Sequence, residues 1–325
     1  MTKPCPNPMR IVLAGGTGHI GRLLADHFHR RGDKVTVLSR HVQPAPWLVL
    51  TWDGRSLGDW THALDAADVV INLAGRSVNC RYSAANQREI MQSRVEPTRV
   101  LGQAIAASSH SPSLWMNAST ATIYRHALDR DMDEATGELG GCEKNAPSHW
   151  RFSIDVATSW ETTFYEAKLP GTRRIALRSA MVMSPDRDGI FDTLRKLVQA
   201  GLGGRAGSGR QFVSWIHETD FVHAIDFLIE HRDLDGSINI CSPRPLPNVE
   251  FMAALRRACG VRIGLPASPW MLEIGAMFLR TETELILKSR RVVPQRLLDA
   301  GFNFRYPDWP EAAQDLIACS RAANR

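Results

Sequence analysis

Arg10-Ile-Val-Leu-Ala-Gly-Gly-Thr-Gly-His-Ile-Gly-Arg22 decides the fold. An apolar run, Ile11 to Ala14, leads directly into Gly15, Gly16, Thr17, Gly18, His19, Ile20 and Gly21. Beyond it Ile20, Leu23, Leu24, His27 and Phe28 fall at helical spacing, mostly apolar. The pattern predicts a strand, a tight glycine turn and a helix. Glycines so placed let the backbone turn sharply, approach a pyrophosphate closely and seat the helix on its strand, and the helix N-terminus offers N–H groups to the anion. A dinucleotide is the expected guest. Glycines required only for steric packing of a βα turn are the competing explanation.

Working outward, Lys34 to Leu38 reads as a second strand ending in Ser39-Arg40. An acidic residue here would take both ribose hydroxyls of NAD. A small hydroxyl residue followed by Arg suits a 2′-phosphate, so NADP is expected, the alternative being a solvated loop arginine. Trp47 to Trp52 gives a third strand, Leu57 to Ala67 has helical spacing, and Val69 to Leu73 is the fourth strand. It ends in Asn72-Leu73-Ala74-Gly75, small residues where backbone passes the ribose side of a dinucleotide; a left-handed turn at Gly75 is the rival reading. A helix follows over about 84–108. The fifth strand, Ser113 to Ala118, runs into the hydroxyl cluster Ser119-Thr120-Ala121-Thr122-Ile123-Tyr124, and a helix over 150–167 precedes the sixth strand, Arg173 to Arg178.

Six βα units in alternation make an α/β fold of the Rossmann type, a doubly wound parallel sheet. Residues 1–183 are expected to form the NADP-binding domain, and 184–325 a smaller, mainly helical substrate region interleaved with the sheet. Within the latter, Gly201 to Gly209 is a Gly-rich loop, read equally as a substrate lid or a connector. A helix over 220–230, a last strand over 237–241 and a largely helical tail from Asn248 follow.

Composition narrows the function classes. With 325 residues, 44% apolar and 22% charged, the chain is an ordinary globular one. Its net charge of +5 is scattered, without a basic run that would track a nucleic acid. The six cysteines lie far apart with no C-x-x-C pair, so neither zinc nor disulfides are indicated and a reducing compartment fits. The segment from Met1 to Met9 has prolines and no apolar core, and no stretch is long enough to span a membrane; a cytoplasmic protein is expected, with no metal, no nucleic-acid partner and an open oligomeric state.

These motifs resemble the extended short-chain dehydrogenase/reductase superfamily. More narrowly the chain is similar to an atypical branch of NADP-dependent sugar-nucleotide epimerases with a C-terminal extension. Gly201-Leu-Gly-Gly204, Gly207-Ser-Gly-Arg-Gln211, Ser214-Trp-Ile-His217 and Arg291-Val-Val-Pro-Gln-Arg-Leu-Leu-Asp-Ala-Gly-Phe302 carry the narrower likeness. The resemblance implies that Thr17 to Ile20, Ser39, Arg40, Leu73, Ala74, Glu89, Arg94 and Val182 contact the cofactor.

One departure bears on chemistry. The superfamily's Tyr-x-x-x-Lys pair sits on the helix before the sixth strand; aligning on Glu161 places Ser153 at the Tyr position and Ala157 at the Lys position. Serine has no acidic proton near neutral pH and alanine cannot hold a ribose. Tyr165-x-x-Lys168 lies 12 residues further along, about 18 Å down the helix. The catalytic candidates are therefore Tyr124 as proton donor and Thr120 orienting the substrate oxygen, with Tyr124 as mere packing the alternative. Two functions stand: an NADP(H)-dependent oxidoreductase or epimerase acting on a small polar substrate, free or nucleotide-linked, bearing a hydroxyl or keto group; or a non-catalytic NADP(H)-binding sensor or regulator.

Overall fold

The structure is a computed structural model that describes residues 8–65, 67–143, 147, 150–187, 189–268 and 284–322. Seven strands form one parallel sheet: β1 Arg10–Ala14, β2 Lys34–Ser39, β3 Leu48–Thr51, β4 Val69–Asn72, β5 Leu114–Thr120, β6 Arg173–Ser179 and, from the C-terminal half, β10 Gly236–Ile240. Their order is β10-β6-β5-β4-β1-β2-β3, with β1 bonded in parallel to both β2 and β4. The chain leaves β1 in one direction and returns on its other side at β4, so the carboxyl ends of β1 and β4 flank a crevice.

Both faces are covered, and the strands are accordingly continuous apolar runs rather than alternating ones. Helix α1, His19–Arg31, buries Leu24, Ala25 and Phe28 on one face. Helices α2, Ala84–Ala107, and α3, Arg151–Glu166, cover the other, where Leu101, Ile105, Trp115 and Phe164 meet. Residues beyond 184 enter the sheet's own core: Phe221, Ile225 and Leu228 of α5, Glu218–Glu230, and Ile238 of β10 pack with Leu13 and Ile71. A separate cluster joins Met183 of β7, Met181–Met183, Phe191 of α4, Ile190–Gln199, Trp215 of β9, Trp215–His217, and Phe251 of α6, Asn248–Cys259, to the C-terminal helix Trp309–Ala322.

One expected element differs. In place of a helix over Leu57–Ala67 there is a single 3₁₀ turn, Asp59–Ala63. Trp60 is buried there with its indole N–H on the Ser56 carbonyl, and the i→i+3 bonds of Thr61 and Leu64 complete the crossing in little length. In the tail, α6 and the helices Glu284–Leu287, Gln295–Asp299 and Trp309–Ala322 make up more than half of the described residues, as expected, and residues 269–283 lie outside the described residues. Between these helices, residues 288–293 form no helix and are anchored by a bridge from Val292 to Met132 and by Ser214 and Ser289 hydroxyls. No described helix is long and apolar enough to cross a membrane.

Candidate functional site

The glycine turn is held by backbone bonds from Gly15 N to Leu38 O at 2.9 Å and from Leu73 N to Ala14 O at 2.8 Å. Gly15 sits at φ +73, and a Cβ there would stand 2.7 Å from Ala74 Cα, so it is glycine for conformation and for space. Gly21 is glycine because a side chain would press into the Gly16 backbone, which is the helix-on-strand contact itself. Gly18 differs. Its φ of −69 suits any residue, and a Cβ would meet only Gly15 O at 3.8 Å. No side chain caps the N–H groups of the first turn of α1, and no acidic residue lies in that turn. Gly18 is the N-cap of α1, where glycine is a common choice; its missing side chain also leaves the backbone bare at the helix N-terminus, and a dinucleotide pyrophosphate fits there.

Beside the turn, Thr17 Oγ1 and Ser39 Oγ meet at 3.2 Å, and Ser39 Oγ also accepts the His41 N–H. Arg40 follows at the strand end, exposed. Asn72 is fully buried as a brace rather than a contact. Its Nδ2 donates to Thr98 Oγ1 at 3.0 Å and to Asn117 Oδ1 at 2.7 Å, while its Oδ1 accepts the Ala74 N–H. Thus Asn72 fixes the Leu73-Ala74 backbone against Gly15 without facing a ligand.

A cavity of about 540 Å³ opens from the turn across the ends of β4, β5 and β6, an ordinary ligand-site volume. His19, Ile20, Leu73, Arg94, Thr120 and Val182 line it, so the fold brings together these residues from five separate stretches of sequence. Arg94 donates to Ile90 O at 3.1 Å, lies 5.2 Å from the Trp160 ring and shields Gly75; burial lowers its pKa to about 10. Glu89 is not in the lining: it projects from the surface of α2 and pairs with Arg76.

Tyr124 requires a correction. It does not line the cavity; it is 2% exposed, its hydroxyl donates to Asn239 Oδ1 at 2.9 Å and accepts from Arg178 Nη1 at 2.9 Å, and burial raises its pKa. A phenol with both hydrogen-bonding roles taken and its ionisation suppressed is not a proton donor to the cavity. Behind it Arg178 pairs with Glu161 at 2.8 Å, and Glu161 accepts Ser119 Oγ at 2.5 Å. Burial works against the Arg178 charge, but the Glu161 carboxylate outweighs it and its pKa is raised. Tyr165 is also remote, its hydroxyl 3.3 Å from Ser237 Oγ.

At the positions of the missing pair, Ala157 is buried among Ala121, Ile123, Tyr124 and Val292, so no ribose-holding group could enter there. Ser153 does line the cavity. Its hydroxyl donates at 2.6 Å to Glu284 Oε2, a fully buried carboxylate from the C-terminal block. One turn on, Lys288 Nζ lies 3.8 Å from Glu284 Oε1 and donates to Thr122 O at 2.9 Å. Burial, with Arg290 nearby, lowers the Lys288 pKa to about 8, and Glu284 and Glu143 oppose the shift. Arg290 Nε donates to Thr122 Oγ1 at 3.0 Å. Sequence reasoning missed Glu284 and Lys288 because a Glu-x-x-x-Lys spacing reads as a solvated helix pair.

The Gly-rich loop is a connector. Gly204 N and Gly207 N donate to Leu265 O and Ala267 O, Asn248 Oδ1 accepts Ala206 N, and the loop is absent from the cavity lining among the described residues.

Comparison with known proteins follows the same division. Residues 11–241, more than half of the chain, match the family described as NAD dependent epimerase/dehydratase. The chain belongs to that family. Residues 267–316, which include Glu284, Lys288 and Arg290, match a domain of unknown function (DUF1731). The bovine epimerase family protein SDR39U1 is 33% identical over 316 residues, covering 95% of this chain and all of the relative. The crystal structure of human epimerase family protein SDR39U1 (isoform 2) with NADPH superposes with a TM-score of 0.82 at 28% identity, over 95% of this chain and 99% of the other. The Bordetella bronchiseptica enzyme WbmG, solved with NAD and UDP, shares the fold at a TM-score of 0.73 and 14% identity, over 98% of this chain and 96% of that one. This epimerase/dehydratase chain is thus of the extended short-chain dehydrogenase/reductase type, with the additional C-terminal block.

Proposed function

We propose that this protein is a cytoplasmic NADP(H)-dependent oxidoreductase or epimerase acting on a hydroxyl or keto group. The observation that carries the cofactor half is Gly18, whose bare backbone stands at the N-terminus of α1 with no side-chain cap and leaves room there for a pyrophosphate. The NADPH-bound human relative supports the same cofactor. The turn over 15–21 would hold the pyrophosphate, Ser39 and Arg40 the 2′-phosphate, and Leu73, Ala74 and Val182 the nicotinamide half. Residues 1–183 would thus hold the cofactor, while 184–325 complete the substrate end.

When bound, the nicotinamide supplies hydride exchange with a substrate carbon. The chain's own residues handle the oxygen and its proton. Thr120 Oγ1 accepts the Thr122 N–H at 3.1 Å, which leaves its own proton to donate into the cavity. Ser153 has its proton committed to Glu284, which leaves its oxygen as an acceptor. A substrate hydroxyl meets a donor for its oxygen and an acceptor for its proton, and the proton taken at Ser153 Oγ is matched by transfer of the serine's own proton to Glu284. A weak acid such as serine can serve because the carboxylate behind it is the base.

The test is an NADPH titration followed by a carbonyl and alcohol panel that monitors loss or gain of nicotinamide fluorescence. Binding with turnover supports the enzyme. Tight binding with no turnover would select a non-catalytic sensor, and no binding would overturn the cofactor assignment.

A further inference from the structure

We infer that the substrate taken beside the cofactor is a small, uncharged and largely apolar alcohol or ketone, of the size of an aryl ketone, and not a nucleotide diphosphate. The inference rests on the cofactor reading above and deepens it. Beyond the nicotinamide end, the cavity wall is built from Val78, Tyr82, Phe152, Val156, Trp160 and Ile190. Tyr82 and Phe152 meet edge to face, with centroids 5.1 Å apart at 71°, an arrangement that presents aromatic surface to a guest. Ile190 opens α4 at the mouth and is 42% exposed, an apolar side chain that an occupant of the cavity would cover.

Charge argues the same way. Diphosphates are held by several charge-assisted hydrogen bonds, commonly from arginine forks. Among the described residues lining the cavity, Arg94 is the one fixed cation, and its guanidinium is already held at Ile90 O and over Trp160. Lys288 donates to Thr122 O, and Arg290 to Thr122 Oγ1, Lys288 O and Glu284 O, and neither is among the residues that line the cavity. The Gly-rich loop bonds to residues 265–267 instead of approaching the cavity. Of the other polar lining residues, Ser119 donates to Glu161, Ser179 to Leu177 O, Thr122 accepts from Arg290 and His19 meets Asp186, while Thr120 and Ser153 offer a matched donor and acceptor, enough to read one oxygen-bearing group on an otherwise apolar molecule.

The full-length protein, free and saturated with NADPH, would be examined by ligand-observed saturation-transfer NMR with acetophenone, its alcohol and UDP as probes. The expected result is saturation of the aryl probes, no displacement by millimolar UDP, and at least tenfold weaker aryl binding in Ile190→Asp. That side chain is at the surface, so the variant folds, and its NADPH affinity stays within threefold of wild type. Phe152→Ala should weaken aryl binding similarly. UDP that displaces the aryl probes, no aryl binding at all, or aryl binding unchanged in Ile190→Asp would each overturn the inference. Aryl binding that persists in a protein unable to bind NADPH would instead sink the cofactor reading and leave the substrate class standing.

Discussion

Ser153 Oγ and Glu284 Oε2 are joined by a 2.6 Å hydrogen bond across 131 residues of sequence, at the place where the wider superfamily keeps a tyrosine. The bond links the helix before the sixth strand to the C-terminal block, and under the proposed function it supplies the base that a serine lacks on its own.

The first expectation follows from that bond. Glu284→Gln keeps the shape and can still accept the Ser153 O–H through its amide oxygen, but it cannot take the proton. With any substrate found, kcat should fall by roughly 10² to 10⁴, Ser153→Ala should do the same, and the double variant should lose little more, because the two act as one unit. NADPH affinity should stay within threefold. Additive losses in the double variant would show that the two residues work separately.

A second expectation concerns pH and Lys288. Its folded pKa of about 8 lies below the ordinary 10.5, so between these values the unfolded chain binds more protons and stability rises with pH. Glu284, Glu143, Arg290 and His126 face the ammonium, and their charges set the depth of the shift. Measured against Lys288→Met by denaturant melts, wild-type stability should gain on the order of 3 kcal/mol from pH 8 to 10.5. A gap that stays flat with pH would mean that the buried lysine does not titrate in this window.

The glycines should separate by role. In Gly18→Val the Cβ finds open space at an ordinary φ, so the protein should stay folded, with at most the small cost of valine at an N-cap, while dinucleotide binding is lost. Gly21→Ala places a methyl against the Gly16 backbone and should cost about 1–3 kcal/mol or more of stability. Thermal melts alongside NADPH titrations read both effects. Retained NADPH affinity in Gly18→Val would show that the residue is not a phosphate contact.

Under the proposed function, cofactor choice is set at the end of β2. Arg40 should favour NADP(H) over NAD(H) by at least tenfold, about 1.4 kcal/mol, and Arg40→Ala should erase most of that preference. Equal affinities in the wild type would refute the assignment.

For Tyr124 the expectation is structural. Tyr124→Phe leaves Arg178 and Asn239 each short of one buried partner and should lower stability by about 1–3 kcal/mol, with kcat changed less than threefold. Chemical denaturation and steady-state rates together distinguish this from a proton-donor role.

The sheet, its parallel order and the glycine turn were legible in the sequence because they rest on local signals. Apolar strands of four to seven residues, helical spacing and Gly15-x-x-Gly18-x-x-Gly21 are each set within a few residues, and a parallel βα alternation has few ways to wind. The meeting of Thr17 with Ser39 and of Gly15 with Leu73-Ala74 follows from that topology, since strand ends must meet at the point where the order reverses. What the tertiary structure alone decided is which residues meet at the far end of the cavity. Tyr124 closes a hydroxyl-rich stretch and looked like an acid, yet it points into a buried network with Arg178 and Asn239, whose positions depend on β6 and β10. Ser153 looked inert because its partner, Glu284, comes from a helix that no local pattern relates to it. A pairwise bond between residues far apart in sequence leaves no periodicity behind, and only the packing of the C-terminal block against β5 and α3 turns a serine and a distant carboxylate into one site.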